Sequence, residues 1–378
     1  MSNFIPYGKQ WIDDDDINEV VNILKSDWIT TGPKILEFER KICEYIGCNY
    51  AVAVNSGTSA LDIAVQCLEL PKGSEVITTP LTFVADSNAI IYNNLVPVFA
   101  DIKSDTFNID PDDIRKKITD KTKAILYVDY AGQPCEIKEI KEIAEEYDLF
   151  LIEDACHALG AEYHGKKVGN FADVTVFSFH PVKHITTGEG GMVVTNDEDL
   201  YRKMCMLRNH GIDKSTMERF GEKASYIYDM KLLGRNYRMT DFQAALGISQ
   251  LKKLESFIKR RQEIAKIYNE EFETITEITT PFVKPHVRHV WHIYTPLLCE
   301  KIKRDEFFNF LRKEGIGVNV HYIPIYKHSF YKKNFPTNEK NFPVTEDVFK
   351  RIITLPIFPK MTDEKVEYII TKIKNFKR

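Results

Sequence analysis

Apolar residues recur with helical spacing in two segments near the start of the chain. Within residues 13–25 they fall at Ile17, Val20, Val21 and Leu24, which is the i, i+3, i+4, i+7 pattern of an amphipathic helix. Residues 34–46 repeat this pattern and predict a second helix. Helices are therefore expected ahead of the first strand.

From residue 51 onward, short apolar runs alternate with helix-like segments. The runs predict strands at 51–54, 76–78, 96–99, 124–128, 149–152, 174–177 and 192–194. Helices are predicted between some of them, at about 56–70, 83–93 and 137–147. This alternation predicts an α/β fold, in which a mostly parallel seven-stranded sheet carries helices on both faces.

The pattern changes after about residue 240. Residues 241–271 predict one long helix. Beyond it the pattern predicts strands at 294–298 and 318–322, helices at 304–314, 343–350 and 362–375, and a long ordered loop over the aromatic stretch 321–342. We expect two domains, namely an N-terminal arm with a large domain over residues 1–245, and a smaller α+β domain over residues 246–378.

Composition narrows the class of protein. The 378 residues are 43% hydrophobic and 28% charged, which is typical of a globular protein with a core, and the net charge of −4 gives no basic excess for nucleic acid. No apolar stretch approaches the roughly 20 residues of a membrane span, and no signal-peptide pattern stands at the N-terminus. The seven scattered cysteines favour reduced thiols over a zinc site. We expect a cytoplasmic protein without a metal.

One candidate anion site follows the first predicted strand. In open α/β sheets, ligands bind beyond the carboxyl ends of the strands. The segment Ser56-Gly57-Thr58-Ser59 lies there and begins a helix, where backbone N–H groups and hydroxyls can bind a phosphate. An ordinary helix N-cap is the alternative, and the motif alone does not separate the two.

Three further residues follow strands in the same way. Asp154 could keep a pyridine nitrogen protonated, so that the ring acts as an electron sink, or it could cap the next turn. His157 lies one turn further on, where a structural hydrogen bond is the more common role of a histidine. Phe83 follows another strand and could stack on a planar ring or belong to the core.

Lys183 is the sharpest candidate for a catalytic residue. A lysine must be partly deprotonated to attack an aldehyde, and burial lowers its pKa. Its neighbours are apolar, and Gly188, Gly190 and Gly191 permit close approach of a ligand to the backbone. With Ser178 as a hydroxyl for a phosphate, this segment predicts a site for pyridoxal 5′-phosphate (PLP) bound to Lys183 as a Schiff base.

These motifs occur together in one known family. Over nearly its full length the sequence resembles the DegT/StrS-type sugar-nucleotide aminotransferases, which are PLP enzymes of fold type I. The segments that carry the resemblance are 56–60, 153–155, 177–183, 189–191, 208–211 and 234–238. Within the family, residues 77–80, 128–132, 157–160, 185–187 and 320–326 resemble the 4-aminotransferases of pseudaminic acid biosynthesis. Pro181 departs from the alanine that is more common there.

The resemblance implies a role for each residue. Lys183 would hold PLP and shuttle protons, Asp154 would pair with the ring nitrogen, and Phe83 would stack on the ring. The other cofactor-binding residues would be Gly57, Thr58, Ser59, His157, Ser178 and Asn236, of which Asn236 would reach the phosphate from the partner subunit of a homodimer with shared active sites. The substrate cleft would be lined by Tyr7, Asp27, Trp28, Ile29, Thr30, Tyr322, Ile323, Pro324 and Ile325.

The resemblance also implies a reaction. L-Glutamate would give its amino group to C4 of a nucleotide-linked 4-keto-6-deoxy sugar, preferably UDP-2-acetamido-2,6-dideoxy-β-L-arabino-hex-4-ulose. Another acceptor such as GDP-4-keto-6-deoxymannose remains open, and Arg235 and Arg238 are candidates to bind the glutamate carboxylates. A PLP-dependent sugar dehydratase would have histidine in place of the Schiff-base lysine, so Lys183 argues against it, although His184 lies beside it. A non-catalytic sensor on the same fold would not need Lys183, Asp154 and Ser178 together.

Overall fold

The computed structural model describes residues 4–214 and 226–376. Two helices precede the first strand, α1 (Asp14–Leu24) and α2 (Pro33–Ile46), as the sequence predicts. Asp13 caps α1 in a capping box with Asp16. Proline is favoured at the first helical position because its missing N–H would have no partner there, and α2 begins with Pro33.

A seven-stranded sheet forms the centre of the molecule. The strands of the chain up to residue 195 are β1 (Tyr50–Val54), β2 (Glu75–Thr78), β3 (Val96–Phe99), β4 (Thr122–Val128), β5 (Phe150–Asp154), β6 (Glu162–Tyr163), β7 (Lys166–Lys167), β8 (Val174–Ser178) and β9 (Gly191–Thr195). The order in the large sheet is β1-β9-β8-β5-β4-β2-β3. Strand β9 is antiparallel to both neighbours and the other pairs are parallel. The predicted α/β fold with a mostly parallel sheet is confirmed.

Helices cover both faces of this sheet. They are α3 (Gly57–Gln66), α4 (Val84–Tyr92), α5 (Pro111–Lys117), α6 (Ile137–Tyr147) and α7 (Glu198–Arg208). Side chains of β4 alternate between the faces, since Leu126 packs with α3 and α4 and Tyr127 packs with α6. Both faces of β4 are therefore buried, which explains why its sequence is a nearly continuous apolar run.

The chain after residue 240 differs from the prediction in several places. The strand expected over 294–298 is reduced to Leu297–Leu298, and the loop expected over 321–342 contains a short helix, Ser329–Asn334. The expected single helix over 241–271 is two helices, α8 (Asp241–Leu251) and α9 (Leu254–Phe272). The strand expected over 318–322 is a single bridge between Asn319 and Thr354. The remaining elements are α10 (Arg304–Lys313), α11 (Ser329–Asn334), α12 (Pro343–Arg351), α13 (Asp363–Lys374), β10 (Ile278–Thr279), β11 (Val287–Arg288) and β12 (Leu297–Leu298).

The C-terminal elements surround a core of their own. Apolar side chains of α9, α10 and α13 form one cluster that includes Phe272, Leu311 and Ile369. The boundary proposed between residues 245 and 246 falls inside α8, and it remains a prediction. Among the helices of the described residues, none is long and apolar enough to cross a membrane. All seven cysteines are free thiols.

Candidate active site

The ends of three strands bring the predicted residues to one edge of the sheet. Strands β1, β5 and β8 run in the same direction. Their carboxyl ends lead to Ser56, Asp154 and Ser178 respectively. Residues far apart in the sequence therefore meet where ligands of open α/β sheets bind.

The start of α3 forms a narrow cradle. The Ser56 hydroxyl accepts a hydrogen bond from the Ser59 N–H at 3.0 Å, so this serine is the N-cap. A Cβ on Gly57 would lie 2.9 Å from the Cβ of Ser178, and a Cβ on Gly191 would lie 2.4 Å from the Ser56 carbonyl oxygen. Glycine is needed at both positions because the backbone of α3 approaches β8 and β9 too closely for a side chain.

Two of the three predicted hydroxyls are open to a ligand in this cradle. Thr58 is exposed and Ser178 is half-buried. Ser59 differs, because its hydroxyl already donates a 2.6 Å hydrogen bond to Asn55 Oδ1. With the helix dipole behind them, the first N–H groups of α3 and the hydroxyls of Thr58 and Ser178 can bind a phosphate.

A tight turn presents Lys183. Its backbone N–H donates to the His180 carbonyl at 2.8 Å, which closes a turn with Pro181 in the second position. Proline favours that position because its φ is already close to the value required. The departure from alanine at Pro181 thus stiffens the turn that carries the lysine.

The Lys183 amine is half-buried and has no hydrogen bond or ion pair with the part of the chain that the structure describes. Burial lowers its pKa, although the nearby Cys156, Asp154 and Asp86 act in the opposite direction. A lowered pKa increases the fraction of neutral amine, which is the form that attacks an aldehyde or accepts a proton.

Asp154 is buried beside a second carboxyl group that the sequence analysis missed. Asp154 accepts a hydrogen bond from the Cys156 N–H at 2.9 Å. The second group belongs to Asp86 on α4, which is 1% exposed. Burial raises the pKa of Asp86 well above its usual range, and the charge of Asp154 raises it further. The available signal was an acidic residue within the otherwise uncharged segment Val84–Tyr92.

Aromatic and imidazole rings form one wall of the site. The Tyr322 hydroxyl lies 3.0 Å from His157 Nε2, and its ring centroid is 6.3 Å from that of Phe83. Phe83 is 57% exposed, so one face of its ring is available for stacking. Tyr7 joins this wall through His321, whose ring is 5.3 Å from that of Tyr7 and 4.9 Å from that of Tyr322.

His184 has a structural contact that explains its place next to Lys183. It is buried, and its Nε2 lies 3.0 Å from the Val290 carbonyl oxygen. Burial is the main reason that its pKa lies well below the usual range for histidine. A neutral imidazole anchored to Val290 ties the lysine turn to the segment before His292.

Other predicted residues lie in different surroundings. Residues 27–30 pack against the start of α8, where the Asp241 N–H donates to the Ile29 carbonyl at 3.0 Å. The Asn236 side chain is exposed. Arg235 Nε lies 3.4 Å from Asp62 Oδ2, and Arg238 donates to Asn209 Oδ1 at 2.8 Å. These contacts do not place the two arginines beside Lys183.

The segment from Tyr322 to Ile325 divides between the site and the core. Ile323 is exposed, whereas Pro324 and Ile325 are buried. The Ile325 N–H donates to the Pro80 carbonyl at 2.9 Å, and its side chain packs with Phe99. Ile325 therefore supports the segment from within the core, while Tyr322 and Ile323 face accessible space.

Together these groups fit a phosphorylated aromatic aldehyde such as PLP. The amine of Lys183 is unpartnered, the first turn of α3 is open beside Ser178, and Phe83 presents a free ring face. The Asp154 carboxylate is within electrostatic range of Lys183. Each feature matches one part of that molecule: aldehyde, phosphate, ring face and ring nitrogen.

Comparison with known proteins agrees with this arrangement. The DegT/DnrJ/EryC1/StrS aminotransferase family matches residues 10–374. An uncharacterized protein of Methanocaldococcus jannaschii is 49% identical, with coverage of 98% of this chain and 97% of its own length. The UDP-4-amino-4,6-dideoxy-N-acetyl-beta-L-altrosamine transaminase of Campylobacter jejuni is 41% identical, with coverage of 97% and 95%.

Solved structures show the same relationship. PseC of Helicobacter pylori, an aminotransferase involved in the biosynthesis of pseudoaminic acid, superposes with a TM-score of 0.93 at 36% identity over 98% of each chain. The PLP form of Spr1654 of Streptococcus pneumoniae superposes with a TM-score of 0.92 at 34% identity over 98% of each chain. The chain belongs to the DegT/DnrJ/EryC1/StrS family and is a sugar aminotransferase of this type.

Proposed function

We propose that this enzyme uses PLP to transfer the amino group of L-glutamate to C4 of a nucleotide-linked 4-keto-6-deoxy sugar. The observation that carries the proposal is the Lys183 amine, which is half-buried, unpartnered among the described residues and near Asp154. Partial burial of a lysine amine that makes no hydrogen bond or ion pair is costly, and such a group is a candidate for a chemical role.

Each residue of the site has a part in this proposal. The first turn of α3 with Thr58 and Ser178 would bind the cofactor phosphate, Phe83 would pack on the ring, and Asp154 would keep the ring nitrogen protonated. Bound PLP supplies an electron sink that weakens bonds to the carbon bearing the amino group. His157 and Tyr322 would hold each other in place at the edge of the ring.

Lys183 would move the proton in both half-reactions. As a neutral amine Lys183 would accept the α-proton of glutamate, and as an ammonium it would deliver that proton to C4′ of the cofactor. With the sugar it acts in the reverse order, and finally delivers a proton to C4. The same residue can serve as base and as acid when its pKa lies near the working pH, and burial moves the pKa of Lys183 in that direction.

The proposed acceptor is UDP-2-acetamido-2,6-dideoxy-β-L-arabino-hex-4-ulose, which places the enzyme in pseudaminic acid biosynthesis. The similarity to the Campylobacter transaminase and to Helicobacter PseC supports this choice. Tyr322 lies beside the Phe83 ring, and Tyr7 is linked to Tyr322 through His321; these two residues and the exposed Ile323 would line the sugar cleft. GDP-4-keto-6-deoxymannose is the competing acceptor.

We also propose a cytoplasmic homodimer with shared active sites. The Asn236 side chain is exposed, as are the apolar side chains of Met230 and Leu233 nearby in the sequence. An exposed apolar surface of this kind is typical of an interface. A second copy would cover it and receive Asn236 at its cofactor phosphate. Mixing inactive Lys183→Ala and Asn236→Ala proteins should then restore activity in mixed dimers, whereas no restoration would contradict shared sites.

Absorbance spectroscopy tests the proposed function. The purified protein with PLP should show a visible band that L-glutamate bleaches, and a 4-keto sugar nucleotide should restore it. The Lys183→Ala variant should lack this response. If GDP-linked sugars alone restore the band, the UDP-sugar assignment is wrong. If wild type and variant both show no band and no response, the PLP proposal itself is wrong.

A further inference from the structure

Asp86 is a buried acid for which neither the fold nor the proposed reaction has yet supplied a role. It lies in the first turn of α4, three residues after Phe83, and is 1% exposed. Its Oδ2 accepts a 2.6 Å hydrogen bond from the Thr82 hydroxyl. Its Oδ1 is equally buried but has no hydrogen-bond partner. A buried carboxylate oxygen without a donor is costly, so this atom needs an explanation.

The neighbour of Asp86 supplies that explanation. The carboxyl group of Asp154 is close enough to interact with that of Asp86 directly. Two adjacent carboxylates repel each other, and one of them therefore retains a proton. If the proton is on Asp86 Oδ1, the resulting hydroxyl can donate a hydrogen bond to Asp154. Oδ1 then no longer lacks a hydrogen-bond partner.

We propose that Asp86 and Asp154 share one proton in the cofactor-free protein, and that Asp86 is a neutral positioning residue for Asp154. The inference rests on the proposed function for the cofactor role of Asp154. Asp86 would fix the orientation of the Asp154 carboxylate while it leaves a single negative charge for a protonated ring nitrogen. In this way the site would receive one charge from two acids.

Some of the groups around Asp86 raise its pKa and others lower it. The start of α4, the Thr82 hydroxyl and the Lys183 amine favour an ionised Asp86. Burial and the Asp154 charge favour the neutral acid, and they are the two largest influences. The other titratable groups that interact with Asp86 are Cys156, Tyr322 and Tyr331. All three are neutral at physiological pH in buried surroundings, so they do not supply a compensating cation.

Protein stability as a function of pH tests the shared proton without cofactor or substrate. Unfolded aspartate ionises near pH 3.9. Because the pKa of Asp86 is raised on folding, its proton stabilises the folded wild type at low pH. This contribution is lost as the pH rises from about 4 through the folded pKa. Asp86→Asn has no proton to lose. Its folding equilibrium constant, relative to wild type, should therefore rise by up to about tenfold per pH unit in that window.

The source of the shift can be tested in the same experiment. In an Asp154→Asn background the neighbouring charge is gone, so the rise with pH should become smaller and end at lower pH. If the folding equilibrium constants of wild type and Asp86→Asn keep a constant ratio above about pH 5, Asp86 is already ionised there, and the proposal is overturned. A rise that Asp154→Asn leaves unchanged would assign the effect to burial and would overturn the pairing.

Infrared spectroscopy provides a second, independent measurement. Wild-type protein labelled with ¹³C-aspartate should show the carbonyl stretch of protonated carboxyl groups at neutral pH, and this band should lose intensity in Asp86→Asn; burial also raises the pKa of Asp129, so part of the band should remain. If Asp86→Asn does not fold, Asp86→Ser retains a donor at the same position and serves instead. Persistence of the whole protonated-aspartate band in the folded variant would contradict the proposal. Because these measurements use cofactor-free protein, their outcome is separate from that of the absorbance test for aminotransfer.

Discussion

Asp86 and Asp101 are two buried aspartates that follow neighbouring strands of the same sheet, yet their surroundings differ. Asp101 Oδ1 accepts hydrogen bonds from the Thr345 N–H at 2.9 Å and from its hydroxyl at 2.6 Å, and Oδ2 accepts one from the Val344 N–H at 3.0 Å. Asp86 accepts one hydrogen bond, its second oxygen has no hydrogen-bond partner, and its carboxyl group interacts with that of Asp154.

The difference separates a carboxylate that holds the fold together from one placed for chemistry. The donors of Asp101 stabilise its charge and join the end of β3 to the start of α12. Around the proposed cofactor site, polar atoms are instead left open: the Lys183 amine, Asp86 Oδ1 and Nδ1 of His157. Such atoms are costly to the protein alone and become satisfied when a ligand or proton is bound.

Neutralising Asp154 should have the largest effect on activity. In Asp154→Asn the partner of the ring nitrogen loses its charge, and we expect turnover to fall by about 10²–10³-fold, as when one electrostatic contact of a transition state is removed. Stability should change little, because an asparagine oxygen can still accept hydrogen bonds from the Cys156 N–H and from the protonated Asp86. Steady-state kinetics with denaturant unfolding of the same sample measures both. A loss of stability without a loss of turnover would mean that Asp154 supports the fold, as proposed for Asp101, and not the reaction.

The matching change at the other aspartate should have the opposite result. Asp101→Asn replaces one acceptor oxygen by an NH₂ group that faces backbone N–H groups, so the free energy of unfolding should fall by roughly 2–3 kcal/mol. Turnover per folded molecule should remain near that of wild type, because Asp101 contacts α12 rather than the Lys183 turn. Urea unfolding at a temperature where the variant remains folded measures the cost. A variant that is stable but inactive would contradict the structural role.

Acid should weaken the site region through its buried histidines. Burial lowers the pKa of His157 and His184 well below the usual range, and lowers that of His321 to about 3. The unfolded chain binds protons below about pH 6.5 that these imidazoles do not bind when folded. Stability should therefore decrease as pH falls from about 6.5 toward 3, by up to about 1.4 kcal/mol per pH unit for each histidine.

The measurement for the acid effect is the urea midpoint at a series of pH values in that range. His321→Gln should reduce the slope, because one of the contributing groups is removed. A midpoint that does not change between about pH 6.5 and 5 would show that these side chains bind protons in the folded protein. The proton on Asp86 acts with the opposite sign, so the two effects are separated by the Asp86→Asn comparison.

The smallest effect is expected from the turn before Lys183. Pro181→Ala keeps the turn that the Lys183 N–H and His180 carbonyl close, but it increases the freedom of the unfolded chain. The free energy of unfolding should fall by about 0.4–1 kcal/mol. Thermal unfolding of the cofactor-free protein measures this. A larger loss would mean that the proline ring also contributes packing with Lys9 and Trp11, which share a small cavity with it.

Much of the sheet was predictable because each strand is a short apolar run between helical segments. The break in the predicted helix over 241–271 was not predictable, because the apolar spacing continues through Lys252 and Lys253. Lys253 makes ion pairs with Asp13 and Asp16 of the α1 start, and such a tertiary contact leaves no periodic signal. Helices α5 and α7 were missed, since each is short or mostly polar on its surface.

The residues of the candidate site also separate into some that the sequence could predict and some that it could not. The grouping of Lys183, Asp154, Phe83 and Ser178 at one edge of the sheet was predictable because each stands at or shortly after the end of a strand. Their roles toward a cofactor remain predictions. Asp86 and His292 were not predictable in this way, since their relevance depends on neighbours from other elements. His292 lies 4.2 Å from His157, ring to ring, although 135 positions separate them in the sequence. Ser59 shows the reverse case, because its motif predicted a phosphate contact while its hydroxyl is bonded to Asn55.

Release of 2-oxoglutarate in a single half-reaction tests the central claim most directly. Wild-type protein loaded with PLP and mixed with L-glutamate in the absence of any sugar should release one 2-oxoglutarate per active site and then stop. Lys183→Ala, loaded in the same way, should release it at least about 10²-fold more slowly, because the base that removes the α-proton is missing. Equal release by the two proteins would contradict the account, since amino transfer would then not depend on Lys183.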